Sequence, residues 1–446
     1  MVSGSSPMIA FIGFKCIAIL NCLHVILSEF SVSSLPWSIQ IVSRSAFEVP
    51  LRGMVFRLVK TAISNIVPLK RTMVEYSGKL ALAPMVRSGE IPTRLMALRY
   101  GADLVWTPEI VDKKLIKCER VINDDLGTVD FLDPNKKVVF RTYPAEESGK
   151  LIFQIGSADP ELAVQAAKIV AQDVDGIDLN CGCPKPFSTH SGMGAALLTT
   201  PDLLESILRN LVSEVGKVYD IPISAKIRLL DDTDVTPSLE LIDRLCKTGI
   251  SNLTLHCRTP RMRNRDTPVR DFLPSIIDTV HANNVSFIIN GSIRSRREFH
   301  LLQRKYGEKV GGMIAESAES NPTVFAETPL PWNQVVPEFI KIAQDMDNYP
   351  GNTKYIMLNQ VPGKSKFYQK FCQVKTHKEL LEIAETIGDE GNRIMMKYLQ
   401  KDLLINPSDF EGYQYEMQNK RRLEHGDKIN DNDKIDKKQK TVAVAV

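Results

Sequence analysis

From Gly78 onward, short apolar runs alternate with amphipathic stretches. The runs lie at 80–83, 103–106, 151–155, 176–179, 221–227, 252–255, 285–289 and 311–315. Each has strand length and is apolar at consecutive positions, the pattern of strands buried on both faces of a parallel sheet. Between them, 160–171, 201–215, 236–248 and 272–282 carry helical spacing. Eight β/α units in this order predict an α/β fold, a (β/α)8 TIM barrel. No G-x-G-x-x-G follows any run, which counts against a doubly wound dinucleotide fold. Residues 128–132 and 137–142 flank Asp133-Pro134-Asn135 and predict a hairpin inserted between the second and third units.

After about residue 331 the strand pattern stops. Helical patterns at 335–346 and 377–387 predict a small C-terminal helical domain. Its middle interleaves Lys354, Lys364, Lys366 and Lys370 with Tyr355 and Tyr368, an arrangement suited to RNA backbone contact and base stacking. From Lys420 the tail is charged and poor in apolar residues, the composition of a disordered segment. The expected division is therefore an extension over 1–75, a barrel over 76–331, a helical domain over 332–418 and a tail over 419–446.

The extension has its own character. Residues 8–27 are nearly all apolar, long enough for a membrane span or signal anchor. Residues 28–72 are Ser-rich and basic, as in transit peptides. A third reading leaves 1–72 outside the functional protein. The expected compartment is cytoplasm or nucleus, or the mitochondrion where the extension directs targeting. Membrane association is expected only if 8–27 is retained.

Net charge is only +3, so no global field marks a polyanion partner and local clusters must carry that case. The eight cysteines show neither disulfide-framework nor zinc-ligand spacing, and no metal site is expected. Cys181 reads as a small buried hydrophobe. Cys183, in a Gly-Cys-Pro loop at the end of the fourth run, can act as nucleophile, ligand or proton donor.

The strand ends carry polar groups: Gln154, Asn180, Lys226 with Arg228, His256 with Arg258, Asn290-Gly291-Ser292, and Ala315-Glu316. On a barrel these share one rim. A buried Lys226 ammonium should face something anionic or electron-rich, and Gln154 suits an imide edge. Asn290-Gly291 allows close backbone approach to a phosphate. Together they describe a site for a phosphorylated, imide-bearing heterocycle, which flavin mononucleotide satisfies. Arg258, Arg261, Arg263, Arg265 and Arg270 cluster in the loop after the sixth run and suit RNA phosphate contact.

Leu82-Ala83-Pro84-Met85-Val86, Phe153-Gln154-Ile155-Gly156, Asp178-Leu179-Asn180-x-Gly182-Cys183-Pro184-Lys185, Gly192-Met193-Gly194, Ala225-Lys226-Ile227-Arg228, Leu255-His256-x-Arg258 and Asn290-Gly291 resemble the tRNA-dihydrouridine synthases. The order and spacing agree from about residue 76 to 370, with the nearest likeness to fungal enzymes acting at position 20 of the D-loop. The resemblance implies bound FMN, NADPH (or NADH) as reductant, tRNA as partner and Cys183 as the proton donor. It implies that Pro84, Met85, Val86, Gln154, Lys226, His256, Asn290, Gly291, Ser292, Ala315 and Glu316 hold the flavin. Asn180, Lys185, Arg228, Arg258, Arg261, Arg263, Arg265, Lys354 and Lys364 are the expected substrate and RNA contacts.

Two departures stand out. Glu316 replaces an arginine of many relatives, so its backbone amide is expected at the phosphate with the side chain turned away. Cys181 replaces a methionine. No stable protein partner is expected, and the chain is expected to be a monomer. The competing readings are an FMN oxidoreductase of the dihydroorotate or enoate type and a non-catalytic tRNA-binding protein.

Overall fold

The computed structural model describes residues 74–392, 394 and 395. The expectations for 1–72 and for the tail lie outside the described residues. The strands are β1 (Leu80–Leu82), β2 (Leu104–Trp106), β3 (Ile110–Val111), β4 (Glu119–Asn123), β5 (Thr128–Leu132), β6 (Val138–Thr142), β7 (Leu151–Gly156), β8 (Gly176–Cys181), β9 (Ile223–Arg228), β10 (Asn252–His256), β11 (Ser286–Asn290) and β12 (Gly311–Ile314). The longer helices are α1 (Ile91–Arg99), α2 (Pro160–Val170), α3 (Pro201–Leu211), α4 (Thr236–Cys246), α5 (Leu273–Ala282) and α6 (Arg296–Tyr306). They continue with α7 (Glu316–Ser320), α8 (Trp332–Asp345), α9 (Pro350–Gln360), α10 (Lys366–Gln373) and α11 (His377–Ala384).

Parallel pairing runs β2-β1-β12-β11-β10-β9-β8-β7, and β2 also pairs with β7, which closes an eight-stranded barrel. Side chains alternate across each strand. One set, including Leu82, Phe153, Leu179, Ala225, Leu255 and Ile289, packs outward in the large apolar cluster that also takes in the helices. The other set points inward. There Ala81, Ala83, Leu104, Trp106, Ile152, Ile288 and Met313 form a separate apolar cluster, filling the barrel beneath the site.

Three elements differ from the sequence pattern. Strand β8 runs two residues beyond 179, because Asn180 and Cys181 pair with Lys226 and Ile227. The inserted hairpin is a three-stranded antiparallel sheet, β4-β5-β6. Strand β4 escapes the pattern because none of its residues is fully buried, so no apolar period marks it. The helix expected over 201–215 ends at Leu211 and continues as a π turn, Val212–Gly216.

Among the described residues beyond the barrel lie four longer helices, not two. Helices α9 and α10 occupy the stretch read as a basic-aromatic string. Pro350 starts α9 at a position where its missing N–H costs nothing. The lobe's core joins Trp332, Val336, Phe339, Ile356, Phe367, Phe371 and Leu380 to Ile91, Leu95 and Met96 of α1. Barrel and lobe therefore share one helix face. Buried Arg141 reinforces the joint, binding Asp130 at 2.5 Å and donating to the Met346 carbonyl at 2.5 Å. Among the described residues no helix is long and apolar enough to cross a membrane.

Candidate active site

The C-terminal strand ends surround a cavity of about 290 Å³. Its floor is set by register. Gln154, Asp178 and Ser224 occupy one level, Asn180, Lys226 and Thr254 the next, and Arg228, His256 and Asn290 the rim. Asp178 is fully buried and accepts from Gln154 Nε2 at 2.8 Å and Ser224 Oγ at 2.7 Å. Burial pushes its pKa up to about 6, against the pull of those hydrogen bonds. The bond to Asp178 fixes the Gln154 amide, and its carbonyl oxygen is left as an acceptor for an N–H.

Lys226 Nζ donates to Asn290 Oδ1 at 2.9 Å, and Asn290 Nδ2 donates to the Met313 carbonyl at 2.9 Å. Burial lowers Lys226 to about 8, with Arg228 adding repulsion and Asp178 opposing it. His256 is held well below its usual value by burial and by Lys226, Arg228 and Arg258. Its Nε2 lies 2.9 Å from an Arg258 nitrogen. A guanidinium only donates, so Nε2 accepts and the neutral ring carries its hydrogen on Nδ1.

Cys183 is held at the cavity wall by its loop. Asn180 Oδ1 accepts from the Gly182 and Cys183 amides at 3.0 and 3.1 Å. Arg228 Nε donates to the Gly182 carbonyl at 2.8 Å. Gly194 closes the loop: its φ is +60°, and a Cβ there would lie 2.6 Å from the Cys183 carbonyl. The Gly-Met-Gly signature is thus a packing requirement for seating the cysteine. Burial raises the Cys183 thiol. Cys181 is fully buried and pushed higher still, as expected of a packing residue.

Pro84, Met85, Val86, Gln154, Lys226, His256, Asn290 and Ala315 line the cavity, as do Asn180, Cys183, Lys185 and Arg228. Gly291, Ser292 and Glu316 are not among its lining residues. Gly291 has φ +116°, and a Cβ would press 3.1 Å from the His256 ring, so the backbone approaches closely there. Ser292 Oγ accepts from Arg258 at 2.6 Å. The Glu316 carboxylate acts on Arg258, partly restoring a guanidinium basicity that burial lowers.

The basic residues separate into two groups. Arg261, Arg263, Arg265 and Lys364 are exposed, as RNA contact requires. Arg258 is not. It is buried, and its guanidinium donates to the carbonyls of Asn264 and Asp266, holding the arginine loop from within. Lys354 is also spent internally, donating to the Cys372 and Val374 carbonyls at the end of α10.

Sequence reading missed Ser88 and Glu319, which line the cavity together with Glu109 from the end of the second run. Ser88 Oγ donates to Glu319 Oε1 at 2.6 Å across a separation of 231 residues, which no local pattern reveals. Asp178 was also missed as a site residue, although a carboxylate inside the apolar run 176–179 was a usable signal. Tyr355 of α9 also lines the cavity, with Arg87 over its ring at 5.0 Å. Through it the lobe reaches the mouth of the site.

These groups suit a flavin. Gln154 and Lys226 present an acceptor and a cation to a planar imide edge, and Gly291 leaves room for close backbone approach. Among the described residues no cluster of His, Cys, Asp and Glu could hold a metal ion.

A family model described as dihydrouridine synthase matches residues 81–390. The chain is 54% identical over 334 residues to the tRNA-dihydrouridine(20) synthase, NAD(P)+, of Saccharomyces cerevisiae, covering 72% of this chain and 86% of that protein. It is 47% identical over 335 residues to the enzyme of the same name from Schizosaccharomyces pombe, covering 74% and 67%. Against the tRNA-dihydrouridine(20a/20b) synthase of Saccharomyces cerevisiae, identity is 28% over 304 residues, covering 67% and 77%.

Proposed function

Because this chain belongs to the dihydrouridine synthase family, we propose that it reduces uridine 20 of the tRNA D-loop to 5,6-dihydrouridine. NADPH is the electron source, and FMN held in the cavity would supply the hydride for C6 of the uracil. A base inside folded RNA must leave its stack to reach the cavity. Once there, Cys183 gives its thiol proton to C5. The raised thiol pKa keeps that proton in place at neutral pH, as a general acid needs. Gln154, Lys226, His256 and Asn290 hold the flavin, with Pro84, Met85, Val86 and Ala315 against it. Gly291, Ser292 and the Glu316 amide serve its phosphate end. Asn180 and Arg228 seat the cysteine loop, and both line the cavity where the uracil enters. Lys185, Arg261, Arg263, Arg265 and Lys364 meet the RNA backbone. The barrel, 76–331, carries the chemistry, and the helical domain from 332 assists in binding tRNA.

The observation that carries this reading is the convergence of Cys183 with Gln154, Lys226 and Asn290 on one cavity. The test is nucleoside mass spectrometry on unmodified tRNA given the purified protein, FMN and NADPH. Dihydrouridine at a single D-loop site, dependent on Cys183, is the expected result. Absence of product from flavin-loaded protein with bound RNA would reject it. NADPH oxidation that proceeds without RNA would point instead to a small-molecule substrate.

A further inference from the structure

We propose that Glu109 and Ser188 form a proton relay that restores the Cys183 thiol between turnovers. The proposal rests on the function given above, since a thiol that protonates carbon is left as a thiolate each cycle. Glu109 lines the cavity. Ser188 is fully buried and donates from Oγ to Glu109 Oε1 at 3.2 Å. A methyl built on Gly194 would sit 2.5 Å from Ser188 Oγ and 3.2 Å from Cys183 Cβ, so the hydroxyl and the cysteine side chain border one nook. Gly156 makes room on the other side, where a Cβ would lie within 3.1 Å of Glu109 Cδ. Two glycines at the ends of different elements thus leave space for one carboxyl-hydroxyl pair beside the cysteine.

The transfer balances. The Ser188 hydroxyl gives its proton to the Cys183 sulfur and takes the carboxyl proton of Glu109. One S–H bond forms, the serine O–H is renewed, and the carboxyl O–H is lost. A solvent proton at the cavity forms that carboxyl from the resting carboxylate before each transfer, so the cycle ends on the carboxylate to which Ser188 donates. Burial raises the Glu109 pKa toward this task, while Ser188, Asn180 and Lys185 pull it partly back. Lys185 is the charged group facing it, and the thiols of Cys181 and Cys183 both feel the charge of Glu109.

The test compares first and later turnovers. Flavin-loaded wild type and Glu109→Gln are reduced without oxygen and mixed with excess unmodified tRNA. Flavin reoxidation reports the first turnover, and dihydrouridine accumulation under NADPH reports the steady state. The first turnover draws on a thiol already protonated. A relay defect should therefore slow the steady state about tenfold more than the first turnover. Equal slowing of both would make Glu109 a structural residue and overturn the proposal, as would no slowing of either. Ser188→Ala carries the same comparison should Glu109→Gln fail to hold flavin. A second readout is alkylation of Cys183 followed by peptide mass spectrometry. Loss of the carboxylate charge should speed the reaction at fixed pH, and an unchanged rate would place Glu109 out of electrical reach. A wild type that makes no dihydrouridine would reject the proposed function itself, separately from the relay.

Discussion

On the inward face of the barrel, Asp178, Lys226, Arg228 and His256 lie within three adjacent strands, each with a pKa displaced by burial and by its neighbours. The core of the lobe, from Trp332 to Ile387, is aliphatic and aromatic, with Thr353 and Gln360 as its buried polar residues. Burying charge is costly unless partners compensate, so such groups are expected where a ligand or reaction needs them. The lobe supplies shape and bears none of that cost. The difference teaches that stability and chemistry sit in separate regions of this molecule, and that mutations should sort accordingly.

The largest effect expected on stability is in the lobe. Phe339 is fully buried at its centre, so Phe339→Ala should lose ~3–5 kcal/mol in a urea melt. The folded fraction should keep its flavin, and loss of flavin from folded protein would break the comparison. Next comes the converse change in the barrel. Cys183→Ala should lower dihydrouridine formation ~10²-fold or more with stability and flavin content retained, since it removes one proton donor.

A third test uses pH. With its folded pKa lowered to about 8, Lys226 is charged below that value and neutral above it. A bound flavin favours the ammonium, so flavin affinity of the stripped protein should fall as pH rises through about 8. Fluorescence titration checks this, and Lys226→Met should bind more weakly and lose the inflection. A flat profile in the wild type would remove Lys226 from the flavin edge. The smallest effect expects the lobe to touch the reaction at one point only. Tyr355→Ala should raise KM for tRNA by up to about tenfold through lost stacking, with kcat nearly unchanged. A comparable fall in kcat would mean that the lobe shares in the chemistry.

The barrel was legible because each strand is an apolar run bounded by a turn. All eight expected runs overlap barrel strands. Helix α9 was not legible, since its stretch carries Gly, Asn and Lys without an apolar period, and α10 is only eight residues long, its Phe367 and Phe371 one turn apart in the core shared with α8 and α1. Most residues lining the cavity were legible because they stand at strand ends, where position along the chain implies position on the rim. Arg258 and Lys354 were read as RNA contacts because their charge is visible in sequence. Their use inside the fold was not, since it depends on carbonyls brought near by a turn and by a helix end.

The sequence by itself determined the order and spacing of the barrel strands, the Asn-x-Gly-Cys-Pro-Lys loop and the row of polar strand ends. These are local or periodic properties, and a parallel barrel converts strand order directly into neighbourhood. Only the tertiary structure decided which charges are spent internally, that Tyr355 reaches the cavity, and that Glu109 meets Ser188 across 79 residues of chain. Such contacts arise only when the barrel closes and the lobe docks. No period in the chain encodes them, because the residues concerned become neighbours through packing and not through spacing.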